Sequence, residues 1–294
     1  MMVSGLDNLY PIFAGMEKLV SWLGKNRLTS FLLASAFYLA VVVFHDEITV
    51  LAIRMRRNMG VEGYNLVFAI ISAALLVLFL AYTFNQLRKK NYKRQKLFFL
   101  GVTILLILLF YLFALVYNIE AVHFGQYLVL AILLFPLIKS YGETVFWVTI
   151  LGVLDELYQY TILVPFFKYF DFNDIILNLL GAGLGIVLIF ISTEYPVKGK
   201  LSWKTPSVVF TFVVASVLLI LYFTGEFRLY PPDVAWKDAP WIVLNRDEIP
   251  PGFWTRAYEG RYYHVTRPGE GLIIVYVLFF FYYLVDYFMA GKKK

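Results

Sequence analysis

The chain has 294 residues, of which 61% are hydrophobic and only 16% are charged. A soluble globular domain is usually about 45–50% apolar and about 25% charged, so the composition argues against a soluble domain and indicates a protein that crosses a membrane several times. The net charge of +6 comes from basic residues beside the hydrophobic runs, which favours anionic lipid headgroups over nucleic acid, and the absence of cysteine excludes disulfides and thiolate sites.

Residues 1–27 are predicted to form an amphipathic helix that lies on the membrane surface. Apolar residues recur at nearly helical spacing between residues 6 and 25, with charged and polar residues among them, a pattern typical of an interfacial helix. Pro11 would fall in its first turn, where proline is tolerated. The stretch does not have the compact pattern of a signal peptide.

Eight hydrophobic runs follow, each close to the length of about 20 residues that a membrane span needs. They centre on residues 31–44, 66–82, 97–117, 123–138, 144–165, 174–192, 207–224 and 271–289. The predicted fold is therefore an all-α polytopic membrane protein with about eight transmembrane helices. We divide the chain into the surface helix, two N-terminal spans with a basic loop (28–96), a four-helix core (97–194) and two C-terminal spans (195–294) that flank a large extracytoplasmic loop (225–267).

The basic connector at 88–96 gives the strongest orientation signal, because short loops rich in Lys and Arg stay in the cytoplasm. Counting eight spans from this connector places Lys139, the lysines of 198–204 and those of 292–294 on the same side. The expected location is the plasma (inner) membrane, with both termini cytoplasmic.

One basic segment disagrees with this topology, since Arg54, Arg56 and Arg57 would face outward. Either residues 45–65 form an amphipathic surface helix in which these arginines pair with nearby carboxylates, or the number of spans is wrong near the N-terminus.

Three consecutive predicted helices each carry one polar or small-residue face. Residues spaced by three and four lie on the same side of a helix. An ionisable side chain that faces lipid costs at least about 2.5–3.5 kcal/mol, so we predict that the three faces meet in a polar pocket open to the outer side. The residues are Glu120, His123 and Tyr127 on the fourth span, Gly152, Glu156 and Gln159 on the fifth, with Asp155 on an adjacent face, and Asp174, Asn178, Gly181 and Gly185 on the sixth.

The segments IEAVHFGQYLVL, LDELYQ and DIILNLLGAGLG together resemble the VanZ-like family of membrane proteins. That family has a charged residue, His and Tyr on one helix, DE-x-x-Q on the next, and D-x-x-x-N-x-x-G-x-x-x-G on the third. The resemblance covers residues 97–191, about a third of the chain. The chain departs from the family between Gln159 and Asp174, where Pro165 and Lys168 stand in place of a Pro-Gly-Arg turn.

The resemblance implies a role at the cell envelope. The family is named for a link to resistance against teicoplanin, a glycopeptide antibiotic that acts at the outer leaflet on cell-wall precursors. No reaction is established for the family that the resemblance could assign to this chain. The implied partners are membrane lipids and a lipid-linked cell-wall precursor or glycan.

Two main hypotheses follow for the pocket. In the first, the protein binds or shields a lipid-linked headgroup, with His123 and Lys168 near its phosphate and the carboxylates and amides near its other polar groups. In the second, the protein is an enzyme in which Glu156 or Asp174 acts as general acid or base with His123 as partner. A proton-coupled carrier is a third hypothesis, favoured only if the pocket reaches the cytoplasmic side.

Several polar and small residues have structural interpretations. Gly181 and Gly185 form a small-x-x-x-small pair that favours close helix packing, and Asp171 and Asn173 are predicted to cap the sixth helix. Asp286 is expected to snorkel at the inner end of the last span. We expect no metal or other cofactor, because the remaining histidines lie in unrelated segments.

Overall fold

The computed structural model of the protein describes residues 15–88, 93–163, 169–193, 201–230, 240, 242–247 and 249–290. These residues form nine α-helices, a 3-10 helix, a short π-helix and two small sheets. The α-helices are α1 (Gly15–Lys25), α2 (Arg27–Val43), α3 (His45–Leu87), α4 (Lys93–Phe113), α5 (Val122–Ile138), α6 (Tyr141–Tyr158), α7 (Phe172–Ser192), α8 (Pro206–Thr224) and α9 (Pro268–Ala290).

The remaining elements are short and connect the helices. The 3-10 helix (Asn118–Ala121) precedes α5, and the π-helix (Gln159–Leu163) extends α6. Strands β1 (Phe227–Arg228) and β2 (Ile242–Val243) pair in parallel, whereas β3 (Thr255–Tyr258) and β4 (Arg261–Tyr263) form an antiparallel hairpin.

The helices confirm an all-α protein that is embedded in the membrane by several apolar helices. Six of them are long and apolar enough to cross a bilayer: α3, α4, α5 with its 3-10 turn, α7, α8 and α9. A seventh span results if α1 and α2, which meet at 108°, are counted as one. Helix α6 holds three carboxylates within 18 residues and is not among the six. Each of the eight predicted runs overlaps one of the helices from α2 to α9, but eight crossings are not confirmed.

Helix α7 forms the centre of the bundle. Almost every side chain from Phe172 to Ser192 is buried, and α7 contacts α4, α5, α6 and α9. A helix that is apolar around its whole circumference is stable only when protein or lipid surrounds it. Helix α8 is the opposite case, because nearly all of its apolar side chains are exposed, as expected of a surface that faces acyl chains.

Two glycines bring α7 directly against the backbone of α5. A Cβ atom added at Gly181 would lie 2.7 Å from the carbonyl oxygen of Phe124, and one added at Gly185 would lie 2.6 Å from that of Leu128. Real Cβ atoms do not approach this closely, so only glycine allows this distance between the two helices.

Helices α2 and α3 run along the core in opposite directions. The hydroxyl of Ser30 donates to the carbonyl of Leu133 at 2.6 Å, and Tyr38 donates to the carbonyl of Leu151 at 3.0 Å. Helix α3 has one non-helical residue, Gly60, with φ of 73°, a conformation that favours glycine. Its second part contacts the 3-10 helix through Asn65.

The segment at 45–65 is helical on both sides of Gly60. The guanidinium of Arg56 lies 4.5 Å from the ring centroid of Tyr117, next to the 3-10 helix. We call this side of the molecule, which also holds the start of α7 and strands β3 and β4, the loop end. An aromatic contact therefore holds Arg56 at the loop end.

Asp286 lies at the opposite end of the bundle, where α7 ends and α6 begins, and its environment differs from the predicted one. The expected snorkelling is wrong, because Asp286 is only 1% exposed. Its carboxylate accepts hydrogen bonds from the hydroxyl of Ser140 and from the backbone N–H groups of Tyr141 and Gly142, at 2.7–2.9 Å. The first N–H groups of a helix have no partner within it and favour a negative charge, so α9 caps α6 through this residue.

The glycine contact predicts the effect of one added methyl group. Gly181→Ala should destabilise the protein by about 1–3 kcal/mol, because α5 and α7 must separate to admit the Cβ atom. Gly125→Ala on α5 is the matched control, since no atom lies within 4 Å of its added Cβ; it should be neutral or stabilising by up to about 1 kcal/mol. Thermal unfolding in detergent measures both effects. Equal midpoints for Gly181→Ala and wild type would show that α5 moves freely.

Candidate functional site

The polar face of α5 meets that of α7 near the loop end. Nδ1 of His123 lies 2.8 Å from Oδ1 of Asn178, and Nε2 of the same ring lies 3.8 Å from Oδ2 of Asp174. Asp174 and Asn178 are one helical turn apart, so both reach the same imidazole. With the amide oxygen as acceptor, Nδ1 of His123 carries the proton, and a neutral ring presents Nε2 to Asp174 as an acceptor.

Helix α6 completes this cluster through Asp155. The hydroxyl of Tyr127 on α5 donates to Oδ2 of Asp155 at 3.2 Å, and the Tyr127 ring stacks on that of His123 with centroids 6.5 Å apart. Gly152 lies one turn before Asp155, and a Cβ atom there would be 2.8 Å from Nδ2 of Asn178. Residues of α5, α6 and α7 are thus brought together, and α6 contributes Asp155 from the face next to the predicted one.

Two polar atoms of this cluster have no hydrogen-bond partner among the residues that the structure describes. They are Oδ1 of Asp155 and Nδ2 of Asn178, in residues that are 1% and 0% exposed. A buried polar group without a partner costs free energy, and such exceptions need a reason. The cluster therefore keeps one acceptor and one donor available.

Glu156 and Gln159 lie beside this cluster on the next turn of α6. Both are buried, and the amide of Gln159 donates to Oε1 of Glu156 at 3.4 Å. The carboxylate of Glu156 is within electrostatic reach of Asp155, Asp171 and Asp174. Four carboxyl groups therefore share one region of the bundle.

Glu120 occupies a different position from the one that the polar face of the fourth predicted span implies. Its carboxylate accepts hydrogen bonds from the backbone N–H groups of Val116 and Tyr117 at 2.9 and 3.0 Å. It stabilises the turn before the 3-10 helix and reaches the cluster only through its charge, which acts on Asp171 and Asp174.

His45 approaches the cluster, although it lies in a segment that the sequence analysis treated as unrelated. It is the first residue of α3, and the antiparallel contact of α2 with α5 carries the end of α2 to the start of α5. The charges of Asp155 and His123 act on its imidazole. The described residues contain no group of three His, Cys, Asp or Glu side chains that could hold a metal ion.

Asp171 and Asp174 form the solvent-accessible rim of the cluster. Asp171 is exposed and the side chain of Asp174 is 20% exposed, whereas Asp155, Glu156 and Asn178 are at most 3% exposed. We call the region between α5, α6 and α7 that these side chains occupy the recess. Asp171 caps α7 as predicted by accepting from the backbone N–H groups of Asn173 and Asp174 at 2.8 and 3.3 Å.

Asn173 does not have the capping role that was predicted for it. Its Nδ2 donates to the carbonyl of His264 at 2.8 Å, and its Oδ1 accepts from the N–H of Thr266 at 3.1 Å. These bonds hold the chain between β4 and α9 against the start of α7. The large loop consequently lies over the end of the bundle that contains the recess.

Further contacts hold the loop in the same place. The backbone N–H of Phe170 donates to the carbonyl of Leu244 at 3.2 Å, and the guanidinium of Arg246 lies 4.1 Å from the ring centroid of Tyr160. On the other side, Tyr258 stacks on Tyr117 with centroids 5.6 Å apart. The predicted site residue Lys168, together with Pro165, lies outside the described residues.

Comparison of the chain with family models, with curated proteins and with solved structures found no match. The fold and the site define a multi-pass membrane protein with an acid-rich recess at one end of its helix bundle.

The position of Asp171 predicts a pH dependence. Desolvation by the surrounding protein, and to a smaller extent the charge of Asp174, raises the pKa of Asp171 from 3.8 to about 7. The folded protein then keeps a proton that the unfolded chain has lost, so stability falls as the pH rises from about 4 to about 7. Because solvent reaches Asp171, this fall in stability is smaller than it would be for a fully buried carboxyl group.

Asp171→Asn should flatten this decline, because asparagine keeps the helix cap and carries no charge. Thermal midpoints in detergent between pH 4.5 and 8 measure the slope. Asp46→Asn, which removes an exposed carboxylate from the first turn of α3, controls for the change in net charge. An unchanged slope in Asp171→Asn would contradict the assignment.

Proposed function

We propose that the protein binds or shields the polar headgroup of a lipid-linked molecule of the cell envelope, as the resemblance to the VanZ-like family implies. The candidate ligand is a lipid-linked cell-wall precursor or glycan, and the corresponding biological role is like that in glycopeptide resistance. The recess between α5, α6 and α7 is the binding site in this proposal.

The observation that carries the proposal is the unused hydrogen-bonding capacity of Asp155 and Asn178 inside an apolar bundle. Ionisable residues within membrane proteins are rare and usually functional. One free acceptor and one free donor are the complement of a hydroxyl group, which both donates and accepts. This favours a hydroxyl-rich headgroup, such as a sugar.

The charge of the recess supports the same class of ligand. Carboxyl groups outnumber the two imidazoles of His45 and His123, so a phosphate deep in the recess would meet like charge. We therefore place the glycan part of the ligand against Asp155, Glu156 and Asn178, and its phosphate toward the rim.

A second candidate, an enzyme that acts on a lipid headgroup or glycan, is favoured by the arrangement of His123. The ring is oriented by Asn178 on one side and faces Asp174 at 3.8 Å on the other. A base held by a hydrogen bond beside a second titratable group is the usual requirement for general acid and base catalysis.

A carrier receives no support from the described residues. On α7, residues 179–191 are all apolar or glycine, and at Gly181 and Gly185 the helix packs directly on the backbone of α5. No polar path toward the opposite end is present on this helix among the residues described.

Native mass spectrometry of co-purified lipid tests the proposal. Wild type should retain a lipid with a glycan or other hydroxyl-rich headgroup, and Glu156→Gln should retain about tenfold less, since an amide nitrogen that cannot accept a hydrogen bond replaces one carboxyl oxygen. The retained lipid should have the mass of the unreacted molecule. A converted lipid, with loss of conversion in Glu156→Gln, would favour the enzyme instead.

Asp286→Asn is the matched control, because it makes the same chemical change at a buried carboxylate at the opposite end. It should lower the thermal midpoint and leave the retained lipid unchanged. If wild type retains no such lipid, and Glu156→Gln and Asp286→Asn behave alike, the proposed function is wrong.

A further inference from the structure

Two adjoining cavities lie at the end of the bundle opposite the recess. The first is an apolar groove of about 530 Å³ along α9, and the second is a more polar cavity of about 420 Å³ between α6, α9 and the chain before α8. Leu201 and Tyr283 line both cavities, so the two form one continuous surface with an apolar part and a polar part.

The apolar groove has the dimensions and chemistry of an acyl-chain site. Its wall consists of side chains on one face of α9 together with Leu201, and several of them are more than half exposed. In a bilayer this face lies among the lipid tails. The lining residues on α9 are Val277, Phe280, Phe281, Tyr283, Leu284 and Tyr287.

The polar cavity offers a cation and hydroxyl groups. Lys204 is exposed at the cavity wall, together with the hydroxyl side chains of Ser202 and Thr205. A lysine ammonium is a flexible point charge and a common partner of phosphate. The sequence predicts a cytoplasmic location for this end, and the cytoplasmic leaflet is the anionic one.

The carboxylate in the same wall is turned toward donors of the protein. Glu143 accepts hydrogen bonds from the indole N–H of Trp147, from the backbone and hydroxyl of Ser207, and from the hydroxyl of Tyr283. These bonds join α6, α8 and α9 around the cavity. Glu143 is only 6% exposed whereas Lys204 is exposed, so Lys204 is the charged group that a ligand in the cavity meets.

We propose that these two cavities together bind one anionic glycerophospholipid, with an acyl chain in the apolar groove and the phosphate beside Lys204. The site is separate from the recess and does not depend on the function proposed for it. A lipid held there contacts the junction of α6, α8 and α9. It stabilises the protein because it binds the folded state and not the unfolded chain.

The test is a competition in nanodiscs between phosphatidylglycerol and phosphatidylcholine with identical acyl chains, followed by native mass spectrometry of the retained lipid. Wild type should retain phosphatidylglycerol in preference. Lys204→Gln should lower that preference about fivefold, which corresponds to one basic residue near an anionic surface. Phe280→Ala should lower the retention of both lipids and leave their ratio unchanged.

Lys93→Gln is the matched control, because Lys93 begins α4, is exposed and does not line either cavity. It should keep the wild-type preference. Equal retention of both lipids by wild type, or equal losses in Lys204→Gln and Lys93→Gln, would overturn the proposal and leave only ordinary annular lipid at this surface. Unfolding midpoints of all variants identify any loss that comes from misfolding.

Discussion

The structure depends on one constraint: polar groups inside an apolar bundle must find their partners within the protein, because acyl chains offer none. Helix α7 is surrounded by other helices along its whole length, and Asp174 and Asn178 therefore point at His123 of α5. The same constraint acts at the opposite end, where Asp286 and Glu143 accept hydrogen bonds from helix N-termini and hydroxyl groups. Carboxylates thus hold the helices together at both ends of the bundle.

The carboxylates of the two ends nevertheless differ in how completely they are paired. At the opposite end, Asp286 and Glu143 each have several donors. At the loop end, Asp155 and Asn178 each keep an unpaired atom in a region that already holds several carboxyl groups. A protein that needed these residues only for helix packing would gain stability from pairing them. This difference is the reason for assigning the binding function to the loop end.

The sequence predicted the helices and the polar faces well, because both depend on local periodicity. Residues such as Glu156 and Gln159 share a side of α6 whatever surrounds that helix. The sequence predicted contacts less well wherever the two partners lie far apart along the chain. Asn173 was assigned to a local cap but bonds to Thr266, and Asp286 was assigned to the interface but bonds to Tyr141. In both cases the two partners are far apart in sequence, and no local pattern predicts the contact.

By itself, the sequence determined that this is a multi-pass membrane protein and which polar residues lie on one side of each helix, since composition and helical period are properties of single segments. The tertiary structure decided that the charges of His123 and Asp155 act on His45, that the chain after β4 packs on the start of α7, and that Gly181 sets the distance between α5 and α7. The reason is physical: these features depend on which helices are neighbours, and the packing of the whole bundle fixes that.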